Sequence, residues 1–358
     1  MKEVNTTARF KVGIRYWRSS ISRQLYVGTN DTPYKLPDKL GSIEVEVELR
    51  KLANGNILSS NNKSVSTDAT LIRILDSLNL VDLYETKIEY QHNETQIEIV
   101  KDSDRKNLAV ANYLERVEIE SAGISHLNGI KDGGITALLN RRDFGIEIFG
   151  SGRLALSIFG ALIASGFSAT TIRVSEKLEV SNRDFIGGFL QQQDLGSNLI
   201  NCLLRLRNGS SIFPSTYSAA IKTSLVISIG RPSPEALKSW LEEGIPQLYI
   251  DFEHPGSMRI GPFARPGSGP CSNCISLTEG ETGSPLFGSY ERSHEPRLEL
   301  ATSLVLIGSG AIVAEVARFA ATGYSELHKK SIRISLADFY APQVTTWERH
   351  PRCGCNWI

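Results

Sequence analysis

The chain has 358 residues, 41% of them hydrophobic, and its 39 basic residues balance 39 acidic ones. This balance excludes a global field that would draw the protein onto nucleic acid or anionic lipid. The longest apolar stretch, 158–167, is shorter than the ~20 residues of a membrane span, and the amino terminus lacks the apolar core of a signal peptide. We therefore expect a cytoplasmic protein of two or three domains, with no nucleic-acid or membrane partner.

Residues 1–85 predict a small domain of their own. Three β-prone runs, RFKVGIRYWR, QLYVGT and PYKLP, are separated by polar breaks. A first helix is predicted after Pro37, with Leu40, Ile43, Val47 and Leu52 as candidates for its apolar face. A second helix is predicted in STDATLIRILDSLNL, where apolar residues recur every three or four positions. Strands followed by two helices indicate a winged helix-turn-helix.

Residues 86–142 carry little signal. Their first half alternates like an antiparallel strand pair around a turn at His92-Asn93, and the remainder is mixed and polar. We interpret this stretch as a connector.

Residues 143–358 predict an α/β domain. A buried strand, a glycine turn, an apolar helix and a second strand follow one another from Phe144, which is a βαβ unit. Gly150, Gly152 and Ala155 fit Gly-x-Gly-x-x-Ala, a pattern that lets backbone approach a phosphate, although a tight strand-to-helix turn needs the same glycines. A second Gly-x-Gly at 308–310 falls within a predicted long helix over about 297–322, where small residues allow close packing.

Four of the five cysteines form two tight pairs. Pairs at these spacings in a long chain are typical of a metal site, since four thiolates fill the tetrahedral shell of zinc. The prediction is a structural zinc ion that joins the carboxyl terminus to a loop about 80 residues earlier. A redox-active first pair or unpaired surface thiols are the alternatives, and Cys202 is predicted to be a core residue. The predicted ligands are Cys271, Cys274, Cys353 and Cys355.

The order of the glycine turn, SNRDF, DLGSN, GPFARPGSGPCSNC and the terminal HPRCGC resembles the ThiF-like, ubiquitin-activating-type superfamily. The resemblance implies a Rossmann-like domain with a structural zinc site, in a superfamily that adenylates carboxylates with ATP. The two cysteine motifs resemble more narrowly the divergent branch of azole-forming (thiopeptide-type) ribosomal peptide pathways. In that branch an amino-terminal winged helix binds the precursor's leader peptide for a YcaO cyclodehydratase partner. Homodimers are common in this fold.

Departures from the superfamily pattern concern the ATP site. The glycine loop contains Arg153, an Asp-x-Asp pair is missing from RVSEKLEVSN, and Asn198 stands where the family has lysine. Adenylation needs fixed positive charge and metal at the developing pyrophosphate. We therefore expect ATP to be an unlikely cofactor, a degenerate nucleotide loop at Gly150 and Gly152, and a non-catalytic subunit. Arg183 is the remaining candidate for a phosphate contact, with a surface salt bridge as its alternative.

A leader peptide is then expected to add as a strand beside PYKLP. The candidate contacts are equally explained as core or solvated residues of the small domain; they are Tyr34, Lys35, Leu36, Leu71, Arg73 and Leu75.

Three other functions stay open. An ATP-dependent adenylating enzyme would keep the same fold and zinc site. A nicotinamide-dependent oxidoreductase is suggested by Glu176, which follows Gly150 by 26 positions. A winged helix can also bind DNA, but its predicted recognition helix offers a single arginine.

Overall fold

The structure is a computed structural model, and it divides the chain into two compact units, Met1–Leu139 and Asn140–Ile358. The residues that it describes are 6–29, 31–40, 43–54, 58–60, 67–85, 116, 118–173, 177–186, 189–210, 221–281 and 299–357. The predicted turn at His92-Asn93 and the oxidoreductase candidate Glu176 lie outside the described residues.

The amino-terminal unit contains two three-stranded antiparallel sheets, with strand orders β5-β1-β6 and β2-β3-β4. The predicted run RFKVGIRYWR is divided between both sheets, because the chain turns at Gly13, whose φ of 88° suits glycine. The strands are β1 (Thr6–Phe10), β2 (Arg15–Arg18), β3 (Leu25–Gly28), β4 (Pro33–Lys35), β5 (Leu58–Ser60) and β6 (Val81–Glu85).

Two helices, α1 (Ile43–Ala53) and α2 (Thr67–Ser77), complete the core of this unit. Both helices were predicted, but the predicted apolar face of α1 is only partly right: Leu40 and Leu52 are buried, whereas Ile43 is 81% exposed and Val47 42% exposed. Within α1 the buried side chains are Leu52 and two that were not predicted, Val45 and Leu49. Apolar and acidic residues alternate at the start of this helix, so two phases fit the sequence and tertiary packing selects one.

Part of the predicted connector packs within the amino-terminal unit. Residues 118–125 are helical, and the chain then returns to β1 and β6. The Lys11 ammonium group donates to Asn79 Oδ1 at 2.9 Å and to the Ile130 carbonyl at 3.1 Å, and the Leu83 amide donates to the Lys131 carbonyl at 2.7 Å. Since the lysine side chain is fully buried, these bonds tie the stretch firmly to the two strands.

The carboxyl-terminal unit is built on a seven-stranded sheet in the order β13-β12-β11-β10-β9-β7-β8. Strands β8, β7, β9 and β10 are parallel, and the last three strands of the chain add antiparallel to β10 and to one another. The α/β class predicted for this part of the chain is confirmed. Its strands are β7 (Gly145–Phe149), β8 (Thr170–Ile172), β9 (Thr223–Ile229), β10 (Gln247–His254), β11 (Ser257–Ala264), β12 (Lys330–Ser335) and β13 (Gln343–Thr346).

Helices lie on both faces of this sheet. One face carries the larger core, in which α4 and α8 pack together and Ser309 donates to Ser157 at 2.7 Å. On the other face, Trp240 of α6 packs against Val226 of β9. The helices are α3 (Ile135–Asn140), α4 (Arg153–Ala164), α5 (Leu199–Ser210), α6 (Pro234–Glu242), α7 (Ser272–Glu281) and α8 (Thr302–Thr322).

Helix α8 is the long helix predicted from the second Gly-x-Gly. Its length and hydropathy would suffice to cross a membrane, but half of its most apolar stretch is buried inside the unit. Burial of this kind is typical of a core helix.

Candidate functional site: a glycine loop and a cysteine cluster

The glycine turn lies where a ligand crevice forms in an open parallel sheet. Strand β8 pairs with one side of β7 and β9 pairs with the other side. The order in which strands are added to the sheet therefore changes direction between β7 and β9. Ligands of such sheets bind beyond the carboxyl ends of the strands at this point. Gly150 follows β7 directly with a φ of 128°, and an added Cβ would come within 2.8 Å of Ile229 in β9. Glycine is therefore required for the close approach of the two strand ends.

Helix α4 begins at this loop with its amide groups directed at the crevice. Gly152 is its N-cap residue, with a φ of 102°, and provides no side-chain cap. Unbonded amides and the helix dipole together favour an anion at such a position. The loop can therefore hold a phosphate group or a carboxylate.

In this structure the first amide of α4 bonds to a carboxylate of the chain itself. The Arg153 backbone N–H donates to Glu299 Oε2 at 3.2 Å. The Arg153 guanidinium group donates to the Leu300 carbonyl at 3.3 Å, to Thr302 Oγ1 at 2.7 Å and to the Phe185 carbonyl at 3.1 Å. The segment before α8 is thereby attached to the start of α4.

The predicted phosphate contact Arg183 lies in a short 3-10 turn, Asn182–Asp184, and is exposed. Phe185, which follows this turn, accepts a hydrogen bond from Arg153, so the turn lies beside the glycine loop. Among the residues that the structure describes, Arg183 forms no ion pair. The alternative of a surface salt bridge therefore finds no acidic partner in the described part of the chain.

Asn198, the position at which the sequence was compared with a lysine of the ThiF-like superfamily, has a local structural role. Its side-chain oxygen accepts from the Asn201 amide at 3.2 Å, which places it at the start of α5. Asparagine at this position is a favourable N-cap. In this chain the side chain therefore stabilises a helix end.

The four paired cysteines come together as one buried cluster. Cys271 precedes α7 and Cys274 lies in its first turn, whereas Cys353 and Cys355 lie at the carboxyl terminus. The Sγ–Sγ distances are 3.8 Å for Cys271–Cys274, 3.5 Å for Cys271–Cys353 and 3.3 Å for Cys274–Cys355. All four Sγ atoms lie within 4.8 Å of one another.

These cysteines fit a tetrahedral metal ion. Four sulfurs about 2.3 Å from zinc lie roughly 3.8 Å from each other, close to the separations in this cluster. The hydrogen bond from Cys271 lowers the pKa of the Cys274 thiol to about 4, which favours the thiolate that binds metal. Asn273 Nδ2 donates to Cys353 Sγ at 3.4 Å and orients one ligand, as second-sphere donors do.

The predicted peptide contacts divide into exposed and buried residues. Tyr34 and Lys35 lie on β4, an edge strand of its sheet, and are exposed, as is Arg73 on α2. Leu36, Leu71 and Leu75 are at most 2% exposed and belong to the core of the unit. In this conformation only the first three present surface to a peptide, and the contact role of the whole set stays a prediction.

Sequence reasoning did not identify Glu299 as a site residue. It lies 146 residues after Arg153 in a polar stretch, and no spacing rule relates the two positions. Glycine at the N-cap was the available signal, because a helix without a side-chain cap must receive its acceptor from elsewhere.

The whole chain is similar to solved structures of MccB, although no protein-family model and no curated protein matches it. Escherichia coli MccB with MccA superimposes with a TM-score of 0.63 at 12% identity, covering 98% of this chain and 100% of the other. Escherichia coli MccB with ATP gives 0.59 at 12% identity, with coverage of 98% and 99%. The microcin C7 biosynthetic enzyme MccB with N-formylated MccA gives 0.63 at 13% identity, again with coverage of 98% and 99%.

At these identities the likeness establishes a shared fold along the entire chain. It contradicts our expectation of a non-catalytic subunit, because the similar structures include those of a biosynthetic enzyme. One of them holds ATP, which also counts against our expectation that ATP is unlikely. The missing Asp-x-Asp and lysine were insufficient grounds for excluding catalysis, since a fold can place its charges on other residues.

Proposed function

We propose that this protein is an ATP-dependent enzyme that adenylates a carboxylate of a ribosomally made peptide. The observation that carries the proposal is the whole-chain likeness to MccB, whose structures hold ATP in one case and MccA in others. MccA is N-formylated in one complex, and an N-formyl group is a mark of ribosomal synthesis. The resemblance to the ThiF-like superfamily independently implies adenylation.

The glycine loop supplies the nucleotide position in this proposal. The backbone N–H groups at the start of α4 would donate hydrogen bonds to phosphate oxygens of ATP at the crevice between β7 and β9. A peptide carboxylate oxygen then attacks the α-phosphorus of ATP and forms an acyl adenylate. The bond between the α-phosphorus and the oxygen that bridges to the β-phosphate breaks, and pyrophosphate leaves. Positive charge at the departing pyrophosphate lowers the barrier, and Arg183 is an exposed cation that follows in the turn beside the loop.

The amino-terminal unit supplies the peptide position. Strand β4 is one of the two edge strands of the sheet β2-β3-β4, and an edge strand offers main-chain groups to an added strand. Tyr34 and Lys35 lie on this edge, where a peptide would contact them. In this proposal the unit acts as a winged helix-turn-helix that binds the leader part of the peptide.

The cysteine cluster binds a structural zinc ion in this proposal. All four positions of a tetrahedral shell are filled by thiolates, which leaves none for a substrate or catalytic water. Zinc would fix the carboxyl terminus to the start of α7, on the sheet that carries the glycine loop.

A YcaO cyclodehydratase partner and a homodimer remain predictions from the sequence resemblance. Neither is needed for adenylation. Co-purification of the tagged protein with a YcaO protein encoded beside it tests the first, and light scattering tests the second.

The test of adenylation is peptide-dependent exchange of labelled pyrophosphate into ATP, with the small precursor encoded nearest this gene as substrate. We expect exchange with the precursor and none without it, and we expect Arg183→Ala to lower the rate at least tenfold, or about 1.4 kcal/mol of transition-state stabilisation. Arg142→Ala is the matched control, because this exposed arginine precedes β7 at the opposite end of the sheet. Absence of exchange from the folded, zinc-loaded protein would overturn the proposal.

A further inference from the structure

Glu299 binds where the proposed function requires a phosphate group. Its Oε2 accepts the first amide of α4 at 3.2 Å, and this amide borders the glycine loop at the crevice. A carboxylate oxygen and a phosphate oxygen that compete for the same N–H would lie side by side, and their negative charges would repel each other. ATP and the Glu299 carboxylate therefore exclude each other at the start of α4.

The carboxylate is held in this position by its neighbours. Leu300 and Thr302 both accept hydrogen bonds from the Arg153 guanidinium group. Arg153 therefore holds the residues that follow Glu299 with its side chain, and it holds the Glu299 carboxylate with its backbone N–H. Glu299 itself is partly buried. Its contact with the loop is thus supported by two further hydrogen bonds and differs from that of a solvated side chain.

We propose that Glu299 is an internal competitor for the phosphate position, and that ATP binds only after this carboxylate leaves the start of α4. The inference rests on the proposed function, because ATP is the ligand that Glu299 opposes. When only a fraction of the protein molecules is competent to bind, the apparent affinity for the ligand is the intrinsic affinity multiplied by that fraction. Removing the charge of Glu299 then strengthens ATP binding.

The experiment is calorimetric titration of the zinc-loaded full chain with ATP·Mg²⁺ and, separately, with inorganic tripolyphosphate. We compare the wild type with Glu299→Gln, which keeps the size and removes the charge, and with Glu299→Ala, which removes the side chain. We expect at least tenfold tighter binding of both ligands by both variants. Tripolyphosphate lacks the nucleoside, so its response places the competition at the phosphates.

Asp194→Asn is the matched control. Asp194 is also a carboxylate that accepts a backbone amide, that of Gln191 at 2.8 Å, and its substitution removes the same charge. We expect its affinity for both ligands to equal that of the wild type. Thermal unfolding of each variant confirms that the compared proteins are folded.

Each remaining outcome separates the inference from the proposed function. Equal ATP affinity of the wild type and both Glu299 variants would show that Glu299 is an ordinary helix cap, and would leave adenylation standing. If no variant binds ATP or tripolyphosphate, both ideas fail. Tighter binding without precursor-dependent pyrophosphate exchange would support the competitor and overturn adenylation.

Discussion

The four clustered cysteines differ chemically from Cys202, although all five side chains are buried. Cys202 belongs to the apolar core beside α4, where burial raises the pKa of its thiol and keeps it protonated. The hydrogen bond from Cys271 instead lowers the pKa of Cys274. Spacing alone distinguished these two environments, because a pair of cysteines near in sequence can converge on one ion and an isolated cysteine in an apolar helix cannot.

We expect Cys353→Ser to lower the free energy of unfolding by about 4 kcal/mol or more, the range reached when a metal site is lost. Metal binding to such a cluster contributes directly to folding. Elemental analysis of the wild type should give one zinc per chain, and urea denaturation measures the loss. Cys202→Ser is the control: it should keep the zinc and cost less. Full stability of Cys353→Ser without metal would contradict the structural role.

Asp194 makes stability depend on pH. The hydrogen bond from the Gln191 amide lowers the pKa of this carboxyl, and the ion pair with Arg205 at 2.6 Å acts in the same direction. Because the pKa is lower in the folded state, the ionised group stabilises the fold above the unfolded value of about 3.9 and loses this effect as pH falls through the folded value.

We therefore expect Asp194→Asn to cost about 1.5–3 kcal/mol at pH 7, as for a hydrogen bond to a charged group, and progressively less below about pH 4. Urea denaturation of both proteins across this range measures the difference. Asp338→Asn, at an exposed position, should show a flat difference near zero. A penalty for Asp194→Asn that does not change with pH would exclude this origin.

Helix α8 contains two glycines with opposite surroundings. A Cβ on Gly308 would overlap the Sδ and Cε atoms of Met258, whereas a Cβ on Gly310 would meet nothing within 4 Å. Met258 is 1% exposed, so it has little room to move aside. The small residues that the sequence pattern assigned to close packing are therefore needed at one position of the helix and merely tolerated at the other.

The same substitution should thus have opposite signs at the two sites. We expect Gly310→Ala to stabilise the protein by about 0.5–1 kcal/mol, because alanine is the better helix former. Gly308→Ala should destabilise it by about 1–3 kcal/mol through overpacking. Thermal unfolding of the two variants compares them directly, and equal shifts would mean that Met258 accommodates the added methyl group.

The sequence predicted the presence of the helices better than it predicted which of their side chains are buried. The run around Leu71 and Leu75 has a single apolar stripe and was assigned correctly, since both leucines are buried. In α1 the apolar residues Ile43, Val45 and Val47 alternate with acids, so a helical stripe can be drawn through either set. The packing of Val45 against the sheets settles the choice, and packing is absent from the sequence.

The whole molecule combines parts that local patterns reveal with contacts that they cannot. Cysteine pairs, the glycine turn and the βαβ unit are short-range signals, and each was predicted. The contact between Arg153 and Glu299 joins positions 146 residues apart and depends on the finished packing of α4 and α8. Sequence reasoning can therefore propose where a nucleotide binds, but the chain's own competitor for that place emerges only from the fold.

The proposed function assigns peptide capture to the amino-terminal unit and adenylation to the carboxyl-terminal unit. A change at the β4 edge should then weaken peptide binding without altering the chemical step. We expect Tyr34→Ala to raise the precursor concentration needed for half-maximal pyrophosphate exchange about tenfold, with the maximal rate unchanged, as for a residue that binds ground state and transition state equally. Tyr340→Ala is the matched control, because Tyr340 is a 96% exposed tyrosine of the other unit. A lower maximal rate for Tyr34→Ala would mean that the edge strand acts in the chemistry itself, and an unchanged half-maximal concentration would remove Tyr34 from the peptide site.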